Sequence, residues 1–588
     1  MTEKLDPKSA EDILKKYDKE SDTMMYKGVM AKIVSAIAIT FSIFQLYTAT
    51  FGVLDAQLQR AVHLGFGLAL VYLLYPTRKS WSRYKVHPFD VLLSILGVAA
   101  PAYIVFEYQH LVLRSGTVSG VDLAVGLLGI LLVIEATRRI VGLPMVCVVL
   151  AFLIYAFAGP YMPGVLAHRG LTIEQLVGHL YFTTEGIFGI PLGVSSTFIF
   201  LFILFGAYLE SPGLGKFFID LANAIAGWAS GGPAKVAVLS SGLMGTVSGS
   251  SVANVVGTGS LTIPMMKKLG YHKDFAGAVE AAASTGGQLM PPVMGGAAFL
   301  MAVFVGGAYS GCVKAAIVPA VLYFAGIWLG VHCEAKRGNL KGIPRSQLPK
   351  IGTILKERGH LALPLIVIVY LLVSGYTPMR AALVAIVLSI FCSALRKSTR
   401  MKPIEIVRGL DRGARNVLSV LVACAAAGII IGVVTKTGVG LKLASGLLDL
   451  SGGLLLPTMF FTMITAIVLG MGVPTTANYV ITSTIAAPAL VQMGGPGLCA
   501  HRFGFYFGII ADVTPPVALA AFAGSGIAGG NPLRTGINAS KLAIAACVIP
   551  YMVVLSPVLL MLEGTMRGLF LTTLTALIGM VALSSALI

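Results

Sequence analysis

Apolar runs separated by short polar stretches recur along almost the whole chain, at residues 33–54, 92–106, 123–134, 145–158, 198–209, 362–373 and 414–434. Several are extended by small residues toward the ~18 that a membrane-crossing helix needs. A backbone surrounded by lipid must satisfy its own hydrogen bonds, which makes helices the default element. The period-two alternation of an outer-membrane barrel is missing from the pattern. The expected fold is an all-α polytopic membrane protein.

Composition sharpens this picture. Of 588 residues 56% are hydrophobic and only 12% charged, about half the charged fraction of a soluble domain. The net charge of +18 is concentrated between the apolar runs. Segment 77–87 carries Arg78, Lys79, Arg83 and Lys85 without an acid, and segments 334–358 and 396–415 each carry seven basic residues against two acids. Clustering of this kind is the positive-inside signature of cytoplasmic loops rather than a nucleic-acid footprint. Arg138 and Arg139 mark a further cytoplasmic edge. The seven cysteines are scattered singly with no CxxC pair and read as small apolar packers. The histidines lack metal-ligand spacing, and no HExxH sequence or phosphate-binding GK[ST] loop occurs. The pattern therefore predicts no enzyme, no resident cofactor and no primary pump. No cleavable leader is expected, because a charged stretch of about 28 residues precedes the first apolar run.

Threading the chain through the basic loops places a tail at 1–28 in the cytoplasm. Spans near 30–53, 58–76, 88–107 and 119–137 then form a four-helix block that returns to Arg138–Arg139. A span at 142–158 leads outward. An amphipathic stretch at 171–182, with Glu174 and Gln175 on its polar side, reads as an interfacial helix before the span at 189–210 returns. The expected location is a bacterial-type inner membrane, multi-pass, with a cytoplasmic N-terminus.

Two distant segments match at a constant offset of 224 residues. Gly249-Ser250-Ser251-Val252-Ala253-Asn254, Thr258, Pro264 and Pro291-Pro292-Val293 correspond to Val473-Pro474-Thr475-Thr476-Ala477-Asn478, Thr482, Pro488 and Pro515-Pro516-Val517. Ala-Asn, the threonine, the proline and Pro-Pro-Val recur without a gap, which marks an internal duplication (repeat one near 189–332, repeat two near 414–562). Five crossings between the copies, an odd number, make the second copy enter from the opposite face. Inverted repeats are a transporter architecture with binding at mid-membrane.

Each copy holds two unusual pieces. In the first, an apolar half-helix at 234–243 reaches a Gly/Ser tip at 244–251 and a return arm ends at Lys267-Lys268; each arm is short for a full crossing, so the pair reads as a re-entrant hairpin. Its counterpart runs from 455–469 into the tip at 470–476. The second piece is a broken helix, at Gln288–Pro292 and again at Asp512–Pro516. Paired prolines remove two donors and release carbonyls a turn earlier, and released carbonyls at membrane depth attract a cation. Helix N-termini at the hairpin tips offer donors to a substrate carboxylate. Asp512 stands alone in an otherwise uncharged stretch, and intramembrane carboxylates are costly and usually functional. Glu280 ranks below it, being nearer the basic loop at 267–273, and Glu210 reads as a helix end. Arg380, Arg415 and Arg502 fall near expected span ends, so no carboxylate clamp stands out.

At these residues the sequence resembles the membrane component of the tripartite ATP-independent periplasmic (TRAP) transporters. Ser248-Gly249-Ser250-Ser251 followed by Pro291-Pro292 is similar to the large subunit's first hairpin and broken helix. Residues 29–140 resemble the small subunit, fused to a large-subunit-like region at 141–588, and the fused arrangement is most similar to the TAXI branch. The resemblance implies an elevator mechanism, in which both hairpins and both broken helices move as one unit against a scaffold of the other spans. It implies sodium coupling, organic-acid substrates of the dicarboxylate or 2-oxoacid class, and delivery by a separate extracytoplasmic binding protein, since no loop is large enough to be one. By the same analogy cation ligands fall at Ser250, Ser251, Asn254 and Gln288, and at Thr475, Thr476, Asn478, Asp512 and Thr514. Substrate contacts fall at Ser248, Gly249, Ser250, Thr475, Thr476, Pro291 and Pro515. Asp512 occupies the place of Gln288 in the other copy, so the two ion sites differ chemically, and a protonatable Asp512 keeps proton coupling open. The alternatives are a dicarboxylate symporter that works without a binding protein, and, further off, a channel.

Overall fold

The structure, a computed structural model, describes residues 23–587 except 79, 80, 115 and 563. Most of the 1–28 tail and Lys79 lie outside the described residues. Those residues are helical throughout, without a strand, and nine of their helices are long and apolar enough to cross a membrane.

Four helices, Val29–Phe51, Ala56–Leu74, Pro88–Phe106 and Gly120–Ile140, form the N-terminal block. Ala56–Leu74 is too polar to count among the nine, although the chain places it at the block's centre. Its first turns carry Gln57, Gln59, Arg60 and His63, and each finds a partner. Gln57 donates to the Phe182 carbonyl, Gln59 to Thr48 and the Ser196 carbonyl, and Arg60 to the Phe188 carbonyl at 2.6 Å. His63 bridges Gln45 at 2.7 Å and Ser195 at 3.1 Å. Polar side chains inside a membrane bundle act as interhelical ties, and these tie the block to the chain at 182–199. At one end, Arg139 is buried against Asp90 at 2.8 Å and Glu135 at 2.9 Å. It also donates to the Tyr75 carbonyl and Thr77 hydroxyl and lies 4.7 Å over the Tyr72 ring. A guanidinium with this many partners offsets much of its desolvation cost.

The helix Ile173–Phe182 begins at a Thr172/Gln175 capping box and buries Leu176, Val177, His179, Leu180 and Tyr181. The amphipathic pattern expected for 171–182 is present, with its apolar face against protein. Its apolar face packs on Gly120–Ile140 and on the almost wholly buried Leu418–Thr437, because Gly126 and Gly129 leave a notch that Val177 and Tyr181 fill. His179 also meets the Gly432 carbonyl at 3.1 Å.

The duplication is visible element by element. Moved by 224 residues, Gly232–Gly245, Ser251–Lys268, Lys273–Gly287 and Gly296–Val305 fall on Leu455–Gly470, Thr475–Ile485 with Ala487–Gln492, Gly497–Ile510 and Leu519–Ala528. The long helix Tyr309–Arg337 recurs as Pro532–Leu542 and Ile544–Leu555. The copies also exchange parts. Leu519–Ala528 of the second lies on Lys273–Gly287 and Ser251–Lys268 of the first, while Gly296–Val305 of the first lies on Thr475–Ile485 and Gly497–Ile510 of the second. Gly277 and Gly524 bring the backbones into direct contact at one crossing, as small residues do where lipid supplies no hydrophobic drive. Lys267 donates to the Ala528 carbonyl at 2.8 Å, and Asp274 accepts from the Asn531 N–H at 2.7 Å.

Candidate functional site

The two hairpin tips and the two helix breaks converge. Tip one spans Thr246–Ser250, and Ser250 caps the return arm by accepting from the Ala253 N–H at 3.3 Å. Ser251 then points across the repeat boundary and donates to Asp512 at 2.8 Å. Gly249 packs on Gly295, and Gly245 packs so closely on Gly287 that a Cβ has no room. Tip two, Met471–Pro474, leads into Thr475–Ile485. A Cβ on Gly296 would stand 3.1 Å from the Thr476 hydroxyl, so tip two lies against the break of the first repeat, as tip one lies against the break of the second.

The two asparagines occupy corresponding positions but tie their return arms to different elements, the hairpin's first arm in one repeat and the broken helix in the other. Asn254 donates to the Ser241 carbonyl at 3.0 Å and Asn478 to the Gly508 carbonyl at 2.8 Å. Thr258 and Thr482, one turn on, each reach back to the asparagine's own carbonyl. Both prolyl–prolyl bonds are cis. The carbonyls released at the breaks are not as free as the sequence suggests. The Tyr309 hydroxyl lies 2.7 and 2.8 Å from the Pro292 and Val293 carbonyls, Ser540 donates to the Val513 carbonyl, and the Ala520 N–H donates to that of Asp512. Thr514 spends its hydroxyl on the Ile510 carbonyl.

Two side-chain oxygens here are unpaired. Gln288 Oε1 and Asn478 Oδ1 are buried without a hydrogen-bond partner. A buried unsatisfied acceptor costs about 1–3 kcal/mol, and a hard cation removes that cost. The chemistry of the donor set (hydroxyls, amide oxygens and one carboxylate) fits a hard cation. Of the expected site residues, Ser251, Asn254, Gln288, Thr476, Asn478 and Asp512 are buried at this junction. Ser248, Gly249, Ser250, Thr475, Pro291, Pro515 and Thr514 form its partly exposed rim.

Two residues carry more than the sequence reading gave them. Arg502, near the start of Gly497–Ile510, is buried, donates to the Cys312 carbonyl at 2.5 Å, and leaves Nε without a partner. Glu280 is fully buried and accepts from Ser241, Thr258, Thr262 and Ser284. Those hydroxyls come from three helices, and only the fold brings them together.

Comparison with known proteins places this geometry in context. Residues 128–566, well over half of the chain, match the family model described as "Tripartite ATP-independent periplasmic transporter, DctM component". The C4-dicarboxylate TRAP transporter large permease protein DctM of Pseudomonas aeruginosa is 28% identical over 348 residues, 58% of this chain and 78% of that protein. The protein of the same description from Vibrio cholerae is 27% identical over 56% of this chain and 76% of its own length. The isethionate TRAP transporter permease protein DctMQ of Oleidesulfovibrio alaskensis is 26% identical over 61% of this chain and 55% of its own. Among solved structures, Neisseria gonorrhoeae MtrF, from a class of antimetabolite efflux pumps, aligns with a TM-score of 0.47 at 14% identity, over 76% of this chain and 97% of that one.

Proposed function

Because this chain belongs to the tripartite ATP-independent periplasmic transporter family, as a DctM component, we propose that it imports small organic acids by cation-coupled secondary transport. The observation that carries this is the meeting of tips and breaks, where Ser251 of one repeat donates to Asp512 of the other and where Gln288 and Asn478 of the two repeats each bury an unpaired oxygen. A cation at such a junction strengthens contact between tips and breaks, and a closed junction presents helix N-termini to a carboxylate. Coupling follows: the ion raises affinity for the acid, and by linkage the acid raises affinity for the ion.

Sodium is the proposed coupling ion and a dicarboxylate or 2-oxoacid the proposed cargo. Relatives named for C4-dicarboxylate and for isethionate support an anionic substrate. Both hairpins with both broken helices form the moving unit, and the remaining helices form the scaffold. The block at 29–140 serves as the fused small subunit, as in the TAXI branch, and a separate extracytoplasmic protein delivers the substrate.

The test is uptake of labelled dicarboxylates and 2-oxoacids into proteoliposomes, with a candidate binding protein, under sodium or proton gradients imposed separately. Uptake that needs one gradient and the binding protein is expected. Uptake by the chain alone points to a symporter that works unaided, and leakage indifferent to both gradients to a channel.

A further inference from the structure

We infer that Glu280 is a proton-binding site of the first repeat, separate from the junction of tips and breaks. The inference rests on the transporter reading only for the use made of the proton. Glu280 sits in Lys273–Gly287 with no exposed surface, and its carboxyl ties three helices together. Ser241, on the first arm of hairpin one, lies 2.5 Å from Oε1; Thr258, on the return arm, shares that oxygen; Thr262, a turn further, lies 2.5 Å from Oε2. Ser284 approaches to 3.4 Å.

Counting hydrogens shows what is missing. Ser241, Thr258 and Thr262 own one hydroxyl hydrogen each. Besides the three carboxyl contacts, Thr258 lies 2.8 Å from the Asn254 carbonyl and 3.0 Å from Ser241. An ionised Glu280 forces the Thr258 hydrogen to serve both the carboxylate and the Asn254 carbonyl. With a proton on Oε1 directed at Thr258, that hydrogen is free for Asn254, Ser241 donates to Oε1, and Thr262 donates to Oε2. Each close contact to the carboxyl then holds one hydrogen. A metal ion does not solve the shortage, because two octahedral ligands at the shortest metal–oxygen distance of 2.0–2.1 Å stand about 2.9 Å apart, and the contacts here have hydrogen-bond spacing.

No cation balances the group. On the surrounding helices, Lys235 is bonded to His332, Lys267 to the Ala528 carbonyl, Tyr323 to the Ala282 carbonyl and Arg502 to the Cys312 carbonyl. The groups bonded to Glu280 among the described residues are hydroxyls, those of Ser241, Thr258, Thr262 and Ser284, and Tyr506, Lys273, Asp274, Arg534 and Lys541 are not among them. An unpaired ionised carboxylate so placed costs far more than a protonated one. The second repeat has nothing equivalent: Glu280, Thr262 and Ser284 fall on Gly504, Ala486 and Gly508. The proton therefore belongs to hairpin one alone. Its loss leaves a buried charge without a cation and draws the Thr258 and Thr262 hydrogens away from the Asn254 and Thr258 carbonyls, so the arms of the hairpin are seated most firmly on the broken helix while the proton is bound.

The test is infrared spectroscopy of the full chain in lipid vesicles, native against Glu280→Gln, whose amide is nearly isosteric with the protonated acid and can donate to the hydroxyls. At neutral pH the difference spectrum is expected to show the carbonyl stretch of a protonated carboxyl lost on substitution, fading reversibly in the native protein at alkaline pH. Loss of carboxylate bands alone overturns the proposal. Thr262→Val, which removes the donor to Oε2, is expected to shift that carbonyl band to higher frequency, and an unshifted band counts against the site. The infrared result stands whether or not the vesicles transport, so a failure of uptake with the band in place rejects only the functional reading.

Discussion

A carboxylate in the membrane interior costs several kcal/mol unless its surroundings supply hydrogen bonds or a cation. Asp512 has one hydrogen-bonding side chain, Ser251, which leaves the rest of the compensation to a ligand. Asp512→Asn keeps the shape and removes the charge, so we expect a folded protein whose gradient-driven uptake is lost by about 10- to 100-fold, the worth of a charge-assisted hydrogen bond at 1.5–3 kcal/mol. Near-native uptake by a well-expressed variant refutes that role. Asn254→Ala and Asn478→Ala each remove an amide at corresponding positions; the concentration of cation for half-maximal uptake should rise about tenfold, and an unchanged titration excludes ligation. At this scale the sequence shows a residue's chemistry and its solitude, which suffices for Asp512. It underrates Glu280, whose distance along the helix from Lys267–Lys273 says nothing of the hydroxyls that two other helices turn toward it. It places Arg502 near a helix start and is silent on its burial against the Cys312 carbonyl, a contact 190 residues away in the chain. It does not show that Thr514 donates its hydroxyl hydrogen to the Ile510 carbonyl, which leaves the oxygen's lone pairs as its acceptor sites.

Hairpins and broken helices are set by glycine and proline more than by apolar pattern. Repeated Pro-Pro-Val and Ala-Asn at one offset made both pairs legible, and the helices fall on each other at that same offset. What the linear pattern withholds is the exchange between copies, since Leu519–Ala528 and Gly296–Val305 each leave their own repeat to pack on the other. The apolar face of Ile173–Phe182 is likewise indifferent, in sequence, to whether lipid or the Gly126–Gly129 notch covers it. Seating of hairpin one depends on Gly245 against the Gly287 backbone. Gly245→Ala adds a methyl where no room exists and should destabilise the protein by about 1–3 kcal/mol. Gly257→Ala, in the return arm with open space around it, should leave stability unchanged or slightly higher. Thermal unfolding in detergent distinguishes the two, and equal melting temperatures contradict the packing account.

Across the whole molecule, the N-terminal block is held through buried polar ties to the chain at 182–199 and through Ser42, which donates to the Leu410 carbonyl. These contacts join it to the helices proposed as the frame. The buried helix Leu418–Thr437 extends that frame by packing on Ala56–Leu74, Gly120–Ile140 and Leu143–Ala158. If transport proceeds by sliding hairpins and broken helices against this frame, contacts between the two must break in every cycle. One such contact joins tip one to the helix Phe200–Glu210, where a Cβ on Gly206 would lie 3.7 Å from Val247 Cγ1. The decisive measurement is gradient-driven uptake by a Gly206→Cys, Val247→Cys chain in which the exposed Cys147 is replaced by serine, before and after oxidation. The account predicts that the cross-linked molecules stop transporting and recover on reduction; uptake at an undiminished rate by cross-linked molecules would contradict it.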